Sequence, residues 1–239
     1  MDWDSYADQY RQVDFKSDVP PLLAGVLSAG SGRLLDMGCG EGALLGRLRD
    51  RFSESWQLTG FEVSRVRAEI ARRRGHDVVV SDDGLVPSEA ASFDVVISSH
   101  VIEHVPDDRQ YAGQLASLVR PGGHVYLETP LRLPGGWYFR RSPEAGWVLD
   151  PTHRREYRSR AEAVSRLADV GLKIVSVHAV PITFRLASAE ALVRRVMRAP
   201  QREDRDQGGL RAISVPIPRY RELAILARRP ANSTPGSGA

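Results

Sequence analysis

Three histidines in this sequence stand close enough to carboxylates to do proton or metal chemistry. The stretch SSHVIEHVPD, Ser98–Asp107, places His100, Glu103 and His104 in H-x-x-E-H spacing. On a helix those three side chains would share one face. Certain zinc peptidases use that spacing, with a further distant carboxylate ligand. A histidine is equally suited to act as a general base toward a hydroxyl. The third possibility is the first turn of an ordinary helix. A second constellation, DPTHRREY at Asp150–Tyr157, offers His153 as another base. There Arg154 or Arg155 could pair with an acidic group of a substrate. Alternatively, Glu156 and Arg155 cap the following helix while His153 orders the loop. Trp137, Tyr138, Phe139 and Trp147 could wall an apolar pocket or pack a small core of their own. Glu128 is a lesser candidate base.

A glycine-rich stretch, LLDMGCGEG at Leu34–Gly42, precedes both constellations. Glycines permit a tight turn and let backbone N–H groups approach a ligand at a helix N-terminus. Glu62 follows in TGFEVS, where a carboxylate can accept hydrogen bonds from both ribose hydroxyls of an adenosine. Gly38-x-Gly40-x-x-Ala43 loosely matches a dinucleotide fingerprint, which is weak evidence alone. Asp36 points elsewhere: a pyrophosphate disfavours a neighbouring carboxylate, whereas a cofactor bearing an ammonium and a sulfonium tolerates one. Asp36 could also simply pin the turn.

The elements that must position these residues alternate. Strands are expected at Arg33–Met37, Gln57–Phe61, Val78–Val80, Phe93–Ser98, His124–Glu128, Lys173–His178 and Arg221–Ala227. Helices are expected at Glu41–Asp50, Ser64–Arg74, Asp108–Leu118 and Arg160–Asp169. That alternation predicts an α/β fold built on a doubly wound, mainly parallel seven-stranded sheet. Two helices precede the first strand, one with Trp3, Tyr6 and Tyr10 on one face and one near Pro21–Ser28. Two insertions, about 130–157 and 181–218, break the minimal pattern. The second carries an amphipathic helix with Ala189, Leu192, Val193, Val196 and Met197 on one face. Ligands of open α/β sheets bind beyond the carboxyl ends of the strands, so insertions there cover the site. Residues 1–229 read as one domain and 230–239 as a disordered tail.

Composition narrows the classes further. The 239 residues hold 42% hydrophobic and 26% charged side chains, ordinary for a globular chain long enough to bury a core. There is no apolar run of about 18 residues that would span a membrane. The acidic, aromatic start MDWDSYADQY is unlike a secretory signal. One cysteine, Cys39, makes no internal disulfide, so the cytoplasm is the expected compartment. A net charge of +3 does not point to nucleic acid. The arginines from Arg194 to Arg211 could form a patch for phosphates, an anionic membrane surface or a partner subunit, but Glu203, Asp204 and Asp206 interrupt it.

Taken in order, D-x-G-C-G-x-G, Glu62, Ser81-Asp82-Asp83, FDVVISSHVIEHV and LVRPGGHVYLETP resemble the class I S-adenosylmethionine-dependent methyltransferases, from about Tyr6 to Leu172. The resemblance implies S-adenosyl-L-methionine as cofactor and a sheet ordered 3-2-1-4-5-7-6 with its last strand antiparallel. It implies that the backbone of Gly38–Gly42, Cys39 and Gly40 included, holds the methionine part and Glu62 the ribose, with Asp36 and Val63 also in the cofactor site. Asp82 would meet the adenine amino group next to Asp83. Ser98 and Ser99 would line the methionyl side, and Tyr10 would close over the cofactor. Ubiquinone-pathway O-methyltransferases are similar through VIEHVPD. They carry an acid where this chain has His100, and a divalent ion is associated with that segment; an imidazole there shifts preference toward softer ions. The expected activity is O-methylation of a small molecule, with His104, His153 or His100 as base. Divalent-metal assistance and RNA methylation are the alternatives.

Overall fold

The computed structural model describes residues 3–9, 18–81, 84–86, 90–136, 140–185 and 214–231. Helices α1 (Trp3–Gln9) and α2 (Pro21–Ser28) lead into β1 (Gly32–Met37), α3 (Ala43–Phe52), β2 (Trp56–Glu62), α4 (Arg65–Arg73) and β3 (Val78–Val80). Then follow β4 (Phe93–Ser99), α5 (Asp108–Leu118), β5 (Val119–Arg132), the short strands β6 (Arg140–Ser142) and β7 (Gly146–Val148), and α6 (Arg160–Ala168). Strands β8 (Lys173–Arg185) and β9 (Ser214–Arg228) complete the order. The seven-stranded sheet runs β3-β2-β1-β4-β5-β9-β8. Its first five strands are parallel, and β9 is antiparallel to both β5 and β8. This is the order and orientation the family resemblance implies.

Local sequence explains the boundaries. Ser64, Asp107 and Ser159 cap α4, α5 and α6, each accepting a hydrogen bond from a first-turn N–H through its side chain. Gly42 opens α3 in the left-handed region (φ 81°), which glycine alone adopts at little cost. In α3, Leu44, Leu45, Leu48 and Phe52 form the buried stripe. The two cores lie on opposite faces of the sheet. Tyr111, Ala112, Leu115 and Leu118 of α5, with Ala163 and Leu167 of α6, pack on Val96, Leu127, Leu223 and Ile225. Leu23 and Leu27 of α2, with Leu44 and Leu48 of α3, pack on Leu34, Val95, Ile97 and Tyr126. Alternating side chains of each central strand serve both faces: Val96 faces one core while Val95 and Ile97 face the other.

Three strands exceed their expected lengths. β5 reaches from Val119 to Arg132 and β9 begins at Ser214. β8 continues to Arg185, pairing Thr183 with Pro216 and Arg185 with Ser214. Both ends of the 181–218 insertion are therefore strands, and the 130–157 insertion begins as the end of β5. Pro130, Pro181, Pro216 and Pro218 all lie within these strands. A proline lacks an N–H but can occupy positions in a ladder where none is needed. The amphipathic pattern at 189–197, the arginines from 194 to 211 and the tail from 232 lie outside the described residues. No helix among the described residues is long and apolar enough to cross a membrane.

Candidate active site

Strand order reverses between β1 and β4, and the crevice beyond their carboxyl ends is the binding position of such sheets. The loop after β1 forms one wall. Gly38 and Cys39 donate their N–H groups to Phe61 O at 2.8 and 2.9 Å. Glu62, buried at the end of β2, accepts from Gly40 N (2.8 Å) and Ser64 N (2.9 Å) through its two carboxylate oxygens. Glu62 thus ties the glycine loop to the start of α4, and each oxygen keeps a lone pair for a further donor. Gly38 has φ 80°, and a Cβ there would lie 2.4 Å from Val101 Cγ2. The turn after β4 therefore rests directly on the glycine loop.

Helix α1 roofs the crevice. Asp4 accepts from Ser64 Oγ (2.7 Å) and Val66 N (3.3 Å) at the start of α4. Trp3 meets the His104 ring edge-on, with centroids 5.6 Å apart. A seven-residue helix thus reaches from the Glu62 side of the crevice to the histidine side.

The two chemical constellations come together across the crevice. Residues 100–106 form a turn rather than a helix, and α5 starts only at Asp108. H-x-x-E-H therefore has no helical face. His100 takes a left-handed backbone (φ 56°), and its Nδ1 and Nε2 lie 3.3 Å from Glu103 and 3.2 Å from Glu222 of β9. Burial opposes charge on His100, but these two carboxylates override it and raise its pKa far above the usual imidazole range. A histidine held in that state pairs with carboxylates as a cation rather than accepting a proton as a base. His104 instead faces His153, with ring centroids 4.8 Å apart. Its Nδ1 lies 2.9 Å from Thr152 Oγ1. His153 Nδ1 lies 2.9 Å from Glu156 Oε1, and Glu156 also accepts from Leu149 N and Tyr220 Oη. Burial and the neighbouring His153 lower the His104 pKa, against the pull of Glu103 and Asp150. Glu103, His104 and His153 each offer one ligand atom, all within 4.8 Å of one another.

Arginines that could have met a substrate are engaged by the protein. Arg155 donates to the carbonyls of Ile102, Val105 and Pro106, while Arg154 N and Arg155 N donate to Glu103 O. The DPTHRREY segment is thereby stitched to the turn after β4. Arg154 pairs with Glu144 at 3.0 Å, and Arg140 with Asp150 at 3.8 Å.

Other expected cofactor residues fall as follows. Ser98 Oγ is buried and lies 2.9 Å from Tyr111 Oη. Ser99 Oγ donates to Glu128 (2.7 Å), which also receives Tyr126 Oη (2.5 Å). Glu128 is thus held as an acceptor inside the wall. Cys39 is buried against Gly60, and burial with the nearby Asp36 and Glu62 pushes its thiol pKa up, so it is inert packing. Val63 is half-buried against the core at the end of β2. Tyr10, Asp82, Asp83, Trp137, Tyr138, Phe139 and the Tyr6 side chain lie outside the described residues. Trp147 is exposed under the Arg141 guanidinium rather than walling a pocket. The sequence reading missed Thr152, Glu222 and Tyr220. Thr152 sat inside DPTHRREY as a hydroxyl two residues from an acid, whereas the β9 residues carried no signal.

Asp36 is the most perturbed carboxyl of the crevice. Burial first, then Glu62 and Glu128, raise its pKa to about 7, with Arg47 opposing. Unfolded, it titrates near 3.9. Between those values the folded state holds the extra proton, so its stabilising contribution is present below about pH 4 and lost as pH rises through about 7. Melting curves of the ligand-free wild type and Asp36→Asn should coincide near pH 4, with the variant the more stable by pH 8. Parallel curves would remove Asp36 as the titrating group.

Buried Asp36, Glu62 and Glu128 around a glycine cradle suit a cofactor that brings positive charge and repel a pyrophosphate. The fold and this donor set define the class I S-adenosylmethionine-dependent methyltransferases. The chain belongs to the methyltransferase domain family, whose model matches residues 8–177. It is 33% identical over 114 residues to a ubiquinone biosynthesis O-methyltransferase of Alkalilimnicola ehrlichii, covering 45% of each chain. Identity is 31% over 166 residues to the protein of that name from Xanthomonas axonopodis pv. citri, covering 63% of this chain and 66% of that one. The chain spans about half the length of the curated relatives it matches. Its fold is similar to that of a solved S-adenosylmethionine-dependent methyltransferase from Methanosarcina mazei, with TM-score 0.62, 16% identity and coverage of 90% and 99%.

Proposed function

We propose that the chain methylates an oxygen of a small molecule, with His104 accepting the proton of the attacking hydroxyl. The observation that carries this reading is an imidazole whose Nδ1 is already engaged by Thr152, on a turn that rests on the glycine loop. The cofactor, when bound, supplies an electrophilic methyl group. The glycine loop and Glu62 orient it, Trp3 and His153 fix the His104 ring, and α1 shields the crevice from water. With the cofactor bound, His104 Nε2 would take the proton that the acceptor hydroxyl gives up as it attacks. The relatives' printed name, ubiquinone biosynthesis O-methyltransferase, supports an oxygen acceptor. The engagement of Arg140, Arg154 and Arg155 by protein groups favours a small molecule over RNA.

Glu103, His104 and His153 support a second reading, a divalent ion of the softer kind that imidazoles favour. Glu103 Oε1 is buried without a well-aligned donor, although the His100 proton faces it at 3.3 Å. That positive charge competes with an ion, so the base reading is preferred. A labelled-cofactor screen against hydroxylated small molecules identifies the acceptor. With it, His104→Ala should lower turnover at least about tenfold, while a strong chelator leaves the wild type unchanged. Full activity in the variant removes His104 as base; loss of activity with chelator, restored by metal, favours the second reading.

A further inference from the structure

We propose that Thr152, anchored by Asp150, is a positioning residue that sets the tautomer of His104; this rests on His104 being the proton acceptor. Thr152 is buried, and both its N–H (2.8 Å) and its Oγ1 (2.6 Å) point to Asp150 Oδ1. A hydroxyl has a single hydrogen. Threonine spends it on the carboxylate, the stronger and closer acceptor, which leaves only oxygen lone pairs facing His104 Nδ1 at 2.9 Å. The histidine must then be the donor of that contact. In a neutral ring, a hydrogen on Nδ1 means a lone pair on Nε2. Trp3 and His153 both pack edge-to-face with the His104 ring, which favours this one orientation of its nitrogens. Arg140, 3.8 Å from the other oxygen of Asp150, favours the ionised carboxylate that anchors the relay.

The consequence is a base prepared before any ligand arrives. The opposite tautomer places its hydrogen on Nε2 and leaves that atom nothing to accept with. Asp150, Thr152 and His104 thus act in line, although neither Asp150 nor Thr152 has to touch the substrate.

The tautomer can be read in the ligand-free protein by nitrogen-15 NMR of labelled histidines near neutral pH, with His104→Ala assigning the signals. The expected wild-type spectrum shows His104 protonated at Nδ1 and bare at Nε2. Thr152→Val, which keeps the size and loses the hydroxyl, should move most of the population to the Nε2-protonated form; Thr152→Ser should not. With an acceptor in hand, Thr152→Val should lower kcat at least about tenfold with KM within about twofold, and Thr152→Ser should restore it. A wild-type His104 protonated at Nε2 or at both nitrogens overturns the proposal. So does a tautomer unmoved by Thr152→Val in a variant whose melting curve shows it folded. Should His104→Ala retain full turnover while the NMR result stands, the base reading fails and the tautomer relay does not.

Discussion

Glu62→Gln lowers the affinity for S-adenosylhomocysteine about 100-fold, measured by calorimetric titration, because a single amide cannot do the work of this carboxylate. Both oxygens of Glu62 accept from backbone N–H groups, Gly40 on one side and Ser64 on the other. A glutamine turns one acceptor into an NH2 group, so whichever way the amide lies, a donor faces a donor. Hydrogen bonds to a charged group are worth about 1.5–3 kcal/mol each, and the orphaned N–H adds its own cost. The glycine loop loses its tie to α4, and any ribose hydroxyls lose a charged acceptor. The melting temperature should drop by about 5–10 °C as well. Affinity within about threefold of wild type would show that Glu62 does not shape the cofactor site.

Gly38→Ala has a comparable effect by a steric route. The backbone at this position is left-handed, which costs a residue with a Cβ about 1–2 kcal/mol. The new methyl group would also sit 2.4 Å from Val101 Cγ2, and relieving such an overlap costs about 1–3 kcal/mol. Val101 belongs to the turn that carries His104, so relief at Val101 moves the base relative to the loop. Affinity for S-adenosylhomocysteine should fall about 100-fold. Adding Val101→Ala should recover part of the loss, since it removes the overlap and leaves the backbone strain. Wild-type affinity in the single variant would mean that the loop tolerates a wider turn.

Much of this architecture is legible in the chain. The parallel strands announce themselves by short clusters of apolar residues, and Ser64, Asp107 and Ser159 mark helix starts by their capping chemistry. The glycine loop and Glu62 stand at fixed distances along a single β-α-β unit, so local spacing suffices to relate them. The histidines differ. His100 is held by Glu103 and also by Glu222, on a strand 122 positions away, and no local pattern encodes that second meeting. H-x-x-E-H invites a helix, yet His100 adopts a left-handed backbone and the helix waits for Asp107. His104 and His153 were legible as separate candidates; their pairing depends on the insertion folding back over the end of β4. The long β8–β9 ladder was hidden by its prolines, whose missing N–H groups matter less at ladder positions than within a lone strand.

Arg155 gives the insertion after β5 a different standing from that of an added cover. Its guanidinium gathers the carbonyls of Ile102, Val105 and Pro106, groups that no regular element pairs, and the adjacent backbone takes the carbonyl of Glu103. The irregular turn of the parent sheet is therefore complete only when the insertion is present. Substrate preference in such folds is commonly varied by exchanging loops, but here the exchangeable piece is also structural. Segments 100–106 and 150–157 behave as one inherited module: variation tolerated in either is limited to what the other can still bind. A chimera that borrows the insertion alone inherits a turn it was not built to hold.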